Sequence, residues 1–316
     1  MSTPKVFILN PYHPEAIKLL QESNEVDAVL PADSKTWHEE ADGILIRSEI
    51  RITAEDLAKA KKLKVIVKQG VGVDNVDLQA AKEANISVCN TPAMNSESVA
   101  ELTLSLALAV ARRVVEVDRR LLRGERLVRS QLLGQSLYQK SIGIIGMGAI
   151  GRSVAEKWLG AMNGKVIAYD PFAPNGAWPE IEHRRVVDLE ALLEASDVIT
   201  LHVPLTDTTR GMIGKRQFQL MKKNAILLNC ARGGIVNEED LLEALEEKRI
   251  FGAALDATEV EPVTFEAYRQ HLAHDSLILT PHVGASTEEN QSASGKCAVE
   301  TILQVLAGHE VPNRVA

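Results

Sequence analysis

Apolar residues along this chain come in short unbroken blocks, separated by longer stretches in which they recur every three to four positions. Val6-Phe7-Ile8-Leu9, Gly43-Ile44-Leu45-Ile46, Val65-Ile66-Val67 and Ile86-Ser87-Val88-Cys89 read as strands. Glu15 to Glu22, Ala54 to Ala60 and Asp77 to Glu83 read as helices between them. Such alternation, with strands apolar throughout, predicts a parallel sheet covered on both faces. After Thr91-Pro92, Ser98 to about Arg123 reads as one long helix able to bridge two lobes. Ser98-Val99-Ala100-Glu101 fits its capping box and Gly124 its stop. A second β/α series starts at Ser141, with strands expected at 142–145, 166–169, 198–201, 225–229, 252–255 and 277–280. A last helix, Glu288 to Leu306, would carry the chain back to the first lobe. The expected fold is therefore α/β, with two doubly wound parallel-sheet lobes. The first is discontinuous, 1–97 and 286–316; the second, 98–285, is inserted in it.

Composition narrows the class. A chain of 316 residues suits about two domains. A net charge of −8 argues against nucleic acid or an anionic membrane as the main partner, while leaving room for a small anion held by a few local cations. The three cysteines, Cys89, Cys230 and Cys297, show no metal-ligand spacing and cannot all pair internally. With no signal peptide and no apolar run long enough to span a bilayer, the expectation is a reduced, cytoplasmic protein without a metal.

The densest chemistry follows the strand at 142–145. Gly146, Gly148 and Gly151 form Gly-x-Gly-x-x-Gly between that strand and a helical pattern. Glycines there permit a tight turn, approach of a pyrophosphate to helix N-terminal amides, and close packing of helix on strand. Val166-Ile167-Ala168-Tyr169 then ends in Asp170, about 20 residues on, as a dinucleotide site requires. Asp170 would accept from the adenosine ribose hydroxyls and repel a 2′-phosphate, favouring NAD over NADP. Its plainer use is to start a turn at Asp170-Pro171.

Ligands of open α/β sheets sit beyond the carboxyl ends of the strands. Three successive strand ends of the second lobe carry Arg232; Asp256 with Glu261-Pro262; and His282. That set suits reduction of a 2-keto acid, in which hydride from nicotinamide C4 attacks the keto carbon and negative charge grows on oxygen. A protonated His282 would donate to that oxygen, and would accept the alcohol proton in reverse. Glu261 would stabilise the imidazolium. Arg232 would hold the substrate carboxylate through its planar fork.

With these residues in view, the sequence resembles the D-isomer-specific 2-hydroxyacid dehydrogenases, and most of all their D-3-phosphoglycerate dehydrogenase branch. The resemblance covers essentially the whole chain. It is carried by Gly70 to Asp77, Asn90-Thr91-Pro92, Gly146 to Gly151, His202-Val203-Pro204-Leu205, Asn229 to Val236, Asp256 to Pro262 and Pro281 to Thr287. It implies a Rossmann dinucleotide-binding domain inserted in a flavodoxin-like substrate domain, with the active site in the cleft between them. It implies Arg232, Glu261 and His282 as the catalytic set. It places NAD against Ala149, Ile150, Asp170, His202, Val203, Pro204, Cys230, Ala231, Arg232, Asp256, His282 and Gly284. It also implies a homodimer built around the dinucleotide-binding lobes.

Substrate choice falls to the first lobe. The amides of Gly70-Val71-Gly72 suit a small anion nest. Arg47, Lys68 and Arg129 are the cations available for a second anionic group. Lys68-Gln69 departs from the Arg-Ala usual in the phosphoglycerate branch: lysine keeps the charge and loses the bidentate fork. The expected substrate pair is 3-phosphoglycerate and 3-phosphohydroxypyruvate, with hydroxypyruvate, glyoxylate or another 2-keto acid as the alternative. Glutamate rather than an amide before Pro262 argues against a formate dehydrogenase. A reading from another class is an NAD-sensing corepressor-like binding protein, although the chain has no disordered tail or basic patch. The chain ends at Ala316, so serine feedback through a regulatory C-terminal domain is not expected.

Overall fold

Where β-branched and leucine residues run without interruption, the chain forms strands buried on both faces. The computed structural model describes residues 3–316 and separates into two units, Met1–Asn95 with Ala285–Ala316, and Ser96–Gly284.

The first unit holds five parallel strands: β1 (Lys5–Ile8), β2 (Asp27–Val29), β3 (Gly43–Ile46), β4 (Val65–Lys68) and β5 (Ser87–Asn90). Their order, β2-β1-β3-β4-β5, is the flavodoxin-like doubly wound order. Alternate residues feed two cores. Val6, Ile8, Leu45 and Val67 pack with Ala298, Val299 and Ile302 of the C-terminal helix Glu288–Leu306. Phe7, Ile44, Ile46 and Ile66 pack with Leu57 and Ala81 from helices on the other face. Thr287 caps the C-terminal helix by accepting from the Asn290 amide, so that helix begins where the sequence pattern places it.

The second unit holds seven parallel strands: β6 (Ser141–Ile145), β7 (Lys165–Tyr169), β8 (Arg184–Arg185), β9 (Val198–Leu201), β10 (Ile226–Asn229), β11 (Gly252–Leu255) and β12 (Leu277–Leu279). The order is β12-β11-β10-β9-β6-β7-β8. Counted within the unit, that is the dinucleotide-binding order 3-2-1-4-5-6 with a further strand beyond the sixth. It reverses direction at β6, so the ligand crevice of this sheet lies beyond the carboxyl ends of β6 and β9. Among the described residues, no helix is long and apolar enough to cross a membrane.

Three local expectations need correction. The third strand of the second sheet is β8, a two-residue edge strand of arginines that has no apolar signature. Likewise β2 is a short, half-exposed edge strand absent from the sequence reading. The single helix expected from Ser98 to Arg123 is instead two, Ser96–Ala111 and Val114–Leu122. Ser98 lies inside the first of them and opens no capping box. The break falls at Arg113, whose φ of 56° is left-handed. There the Ala111 carbonyl accepts from Gln135 N–H at 2.7 Å. A Cβ on Gly134 would lie 2.4 Å from that same oxygen, so the approach depends on glycine. Arg113 closes the break by a bidentate pair with the buried carboxylate of Glu116, at 2.6 and 2.5 Å.

Candidate active site

The glycine loop is built for close backbone approach. Gly146 has φ of 105°, and a Cβ there would stand 2.5 Å from the His202 carbonyl. A Cβ on Gly151 would stand 2.2 Å from the Gly146 carbonyl, so helix Ala149–Met162 packs directly on β6. A Cβ on Gly148 would meet nothing within 4 Å, which leaves an open cradle at the helix N-terminus. No side chain caps that helix, so the amides around Ala149 and Ile150 face the cradle with the positive end of the helix dipole. One buried polar atom at the neighbouring strand end, Nδ1 of His202, has no hydrogen-bond partner. Nε2 of the same ring pairs with Thr200 Oγ1 at 2.9 Å, and burial lowers the His202 pKa to about 3, so the ring is neutral. A glycine cradle, free helix amides and an orphaned buried nitrogen fit a dinucleotide.

Asp170 forms the turn that the sequence offered as its plainer use. It ends β7, and Oδ1 accepts from the Phe172 and Ala173 amides at 2.9 and 3.1 Å, which makes the turn. Its Oδ2 accepts from Met147 N–H at 2.9 Å, tying that turn to the glycine loop. The carboxylate thus stands at the mouth of the cradle, already oriented by three amides. The turn's carbonyls are held by Arg185 of β8, which donates to Asp170 O, Ala173 O and Pro174 O.

The register of the sheet sets the other three strand ends side by side. Asn229 of β10 pairs with Leu255 of β11, and Leu255 with Leu279 of β12. The loops carrying Arg232, Glu261 and His282 therefore leave the sheet at one level. Asn229 joins the first two: its Nδ2 donates to Arg232 O at 2.8 Å and to Ala257 O at 3.1 Å. A Cβ on Gly233 would lie 1.8 Å from Thr258 O, so only glycine lets these loops touch. The Arg232 guanidinium donates to Ala231 O at 2.8 Å, and its charge acts on Glu261.

His282 and Glu261 form a pair. Nδ1 of the imidazole lies 2.9 Å from Oε1 and 3.1 Å from Oε2 of the carboxylate. Burial opposes ionisation of Glu261, but the hydrogen bond and charge of His282, with help from the Thr258 amide and Arg232, hold its pKa below the ordinary carboxyl value. With Nδ1 engaged, Nε2 is the ring nitrogen left to face a substrate. The His282 backbone is left-handed, φ 55°, and the loop that imposes this hangs on Asp256. Thr280 Oγ1 and Val283 N–H donate to Asp256 Oδ1 at 2.6 and 2.8 Å, Gly284 N–H donates to Oδ2 at 2.9 Å, and His282 N–H donates to the Asp256 carbonyl at 2.8 Å. Asp256, at 2 % exposure, is thereby spent on the loop. Cys230 is buried beside it, and burial pushes the thiol pKa up to about 12, so it offers packing and no nucleophile.

The first-unit candidates lie at the carboxyl ends of β3 and β4. Arg47 follows β3, where its guanidinium is 3.4 Å from Pro11 O and 3.9 Å from a Glu49 carboxylate oxygen. Lys68 ends β4 and is only 4 % exposed; a Cβ on Gly70 would stand 2.6 Å from its Nζ. The ammonium therefore sits over the glycine loop. That loop is less open than the sequence suggested. Gly70 N–H donates to Thr91 Oγ1 at 2.7 Å, and Val71 O accepts from Asn90 Nδ2 at 2.7 Å. One of the expected nest amides is thus already used. Arg129 belongs to the other unit and is exposed on a short 3₁₀ turn, Arg129–Gln131.

Residues 104–284 match the family model for the D-isomer specific 2-hydroxyacid dehydrogenase, NAD binding domain. The chain is 44% identical over 314 residues to a D-3-phosphoglycerate dehydrogenase of Methanocaldococcus jannaschii; the match takes in 98% of this chain and 59% of that protein. It is 39% identical over 310 residues to a hydroxypyruvate reductase of Thermotoga maritima, covering 97% and 99% of the two chains. Among solved structures it is similar to a D-lactate dehydrogenase of Aquifex aeolicus complexed with NAD and lactic acid, with a TM-score of 0.85, 28% identity and 98% of each chain covered.

Proposed function

The chain belongs to the D-isomer-specific 2-hydroxyacid dehydrogenase family, and on that premise we propose that it interconverts a D-2-hydroxy acid and its 2-keto acid with NAD. The observation that carries the proposal is the His282–Glu261 pair at 2.9 Å, on a loop level with that of Arg232 and in the same sheet as the glycine cradle. NADH, when bound, supplies the hydride. Gly146, Gly148 and Gly151 would let its pyrophosphate approach the Ala149 and Ile150 amides, Asp170 would accept from the ribose, and His202, Val203, Pro204, Cys230, Ala231, Asp256 and Gly284 would contribute the remaining contacts. Arg232 binds the substrate carboxylate by its fork and draws charge from the carbonyl. His282 donates a proton from Nε2 to the keto oxygen as charge builds there, and takes it back from the alcohol in reverse. Glu261 stabilises the imidazolium through Nδ1 and keeps the ring oriented.

For the substrate we favour 3-phosphoglycerate and 3-phosphohydroxypyruvate, supported by the 44% identity to a D-3-phosphoglycerate dehydrogenase and by Arg47 and Lys68 beside the Gly70-Val71-Gly72 loop. Hydroxypyruvate is the second reading. The near-complete burial of Lys68 favours it, because that position then offers one enclosed point charge in place of an open fork. Initial rates with NADH and a panel of 2-keto acids decide: kcat/KM should be highest for 3-phosphohydroxypyruvate, a preference for hydroxypyruvate establishes the second reading, and no turnover of any acid removes both.

The protein is proposed to act as a homodimer. Leu121, Leu122, Val128, Leu133 and Tyr138 are 49–81 % exposed along the segment from helix Val114–Leu122 to β6, apolar side chains that a second copy would cover. A single-chain mass in sedimentation equilibrium would rule this out.

A further inference from the structure

Beneath the turn that presents Glu261 lie two buried polar side chains with no contact to the cradle or to the His282 ring. We propose that Glu238 and Tyr268 are positioning residues, which hold the turn from Thr258 to Glu261 so that the Glu261 carboxylate meets His282. The proposal rests on the reading of Glu261 and His282 as a reacting pair.

Glu238 is the first residue of helix Glu238–Glu246 and is 6 % exposed. An acid at that place complements the helix dipole while remaining in water, so its burial calls for a separate reason. The reason is the turn: Glu259 N–H donates to Glu238 Oε1 at 2.7 Å. The next amide, Val260 N–H, donates to Tyr268 Oη at 2.8 Å, and Tyr268 is itself 3 % exposed. The Tyr268 hydroxyl and the Glu238 carboxylate act on each other electrostatically, each shifting the other's pKa. Two consecutive amides are thus anchored on a buried carboxylate and a buried phenol. Burial raises the Glu238 pKa, while the Glu259 amide and the Tyr268 hydroxyl favour its ionised form.

The turn has little other freedom. Thr258 Oγ1 closes it by donating to Val260 O at 3.1 Å, and Gly233 presses on Thr258 from the Arg232 side. Glu261 follows directly, so a lateral shift of the Glu259 and Val260 amides carries its carboxylate off the imidazole. A hydrogen bond at 2.9 Å weakens steeply under such a displacement.

Tyr268→Phe deletes one oxygen and keeps the ring, and Glu238→Gln keeps shape and one acceptor. Each is assayed with NADH and the best 2-keto acid, alone and combined with Glu261→Gln. Alone, each should lower kcat by about tenfold, a fraction of the ~10²–10⁴ supplied by general acid–base catalysis, shift the pH profile of kcat/KM, and leave NAD affinity within about twofold. In the Glu261→Gln background the further loss should be under about twofold, because the turn then carries no carboxylate to place. Wild-type kcat and pH profile in both single variants overturn the inference, as do losses that multiply in full with Glu261→Gln. If Tyr268→Phe does not fold, Glu238→Gln carries the same comparison. Unchanged turnover in Glu261→Gln overturns the underlying reading, and the inference with it. A slowed Glu261→Gln beside unaffected Glu238→Gln and Tyr268→Phe overturns the inference alone.

Discussion

Nδ1 of His282 sits between the two carboxylate oxygens of Glu261, 2.9 Å from one and 3.1 Å from the other. This near-symmetric contact engages Nδ1 and, on the proposed mechanism, leaves Nε2 for proton exchange. It is reinforced from both sides, by the Asp256 network under His282 and by the turn that carries Glu261.

His282→Ala should therefore lower kcat by about two to four orders of magnitude while NAD still binds. Glu261→Gln, which keeps the shape and removes the charge, should lower kcat less than His282→Ala does, since the proton-transferring ring itself remains. Steady-state kinetics across pH, with NAD affinity by fluorescence titration, provide the check. Turnover of His282→Ala equal to wild type removes the residue from the reaction.

On the proposed function, Asp170 carries two separable loads. Asp170→Asn keeps one acceptor oxygen for the turn amides and removes the charge, so it should relax discrimination against NADP with little loss of stability. Asp170→Ala removes the acceptors of three amides as well, and should also destabilise the protein by about 1–3 kcal/mol. The ratio of NAD to NADP affinity and the thermal unfolding midpoint separate the two loads. A ratio that stays at its wild-type value in both variants confines Asp170 to the turn.

Acid should unfold the protein partly through His202. Its pKa falls from the ordinary 6.5 to about 3 on folding, because burial disfavours the cation. Below pH 6.5 the unfolded chain binds a proton that the folded ring refuses, so stability falls as pH drops from about 6.5 toward about 3. His202→Gln has no proton to take up and should flatten that part of the stability curve. Urea unfolding at a series of pH values measures it; parallel curves for wild type and variant would contradict the assignment.

The parts of this protein that depend on short-range pattern were legible in the sequence. Continuous apolar blocks specify strands buried on both faces, as β3, β4, β9 and β10 are. The glycines at 146 and 151 report backbone contacts that admit no Cβ, and Thr287 announces the last helix. Arg232, Glu261 and His282 could be singled out because each follows a strand end, and strand ends are where ligands of such sheets bind. The strands β2 and β8 carried no such signal, since edge strands held by one neighbour need neither length nor apolar residues on both faces. The helix break at Arg113 was hidden because its cause, Gln135 donating to Ala111 O, comes from a distant part of the chain.

Tertiary structure alone decided how the polar groups are shared. The pattern could nominate Asp170, Asp256 and Gly70, but it had no means of knowing that three amides already hold Asp170, that Asp256 is spent on the His282 loop, or that Thr91 takes the Gly70 amide. Glu238 and Tyr268 look like an ordinary helix-start acid and an ordinary aromatic until the fold sets them under Glu259 and Val260. Periodicity and glycine placement are local properties of a chain, readable in order. A hydrogen-bonding group's partner is settled only when distant segments are packed together and each buried donor must find its acceptor.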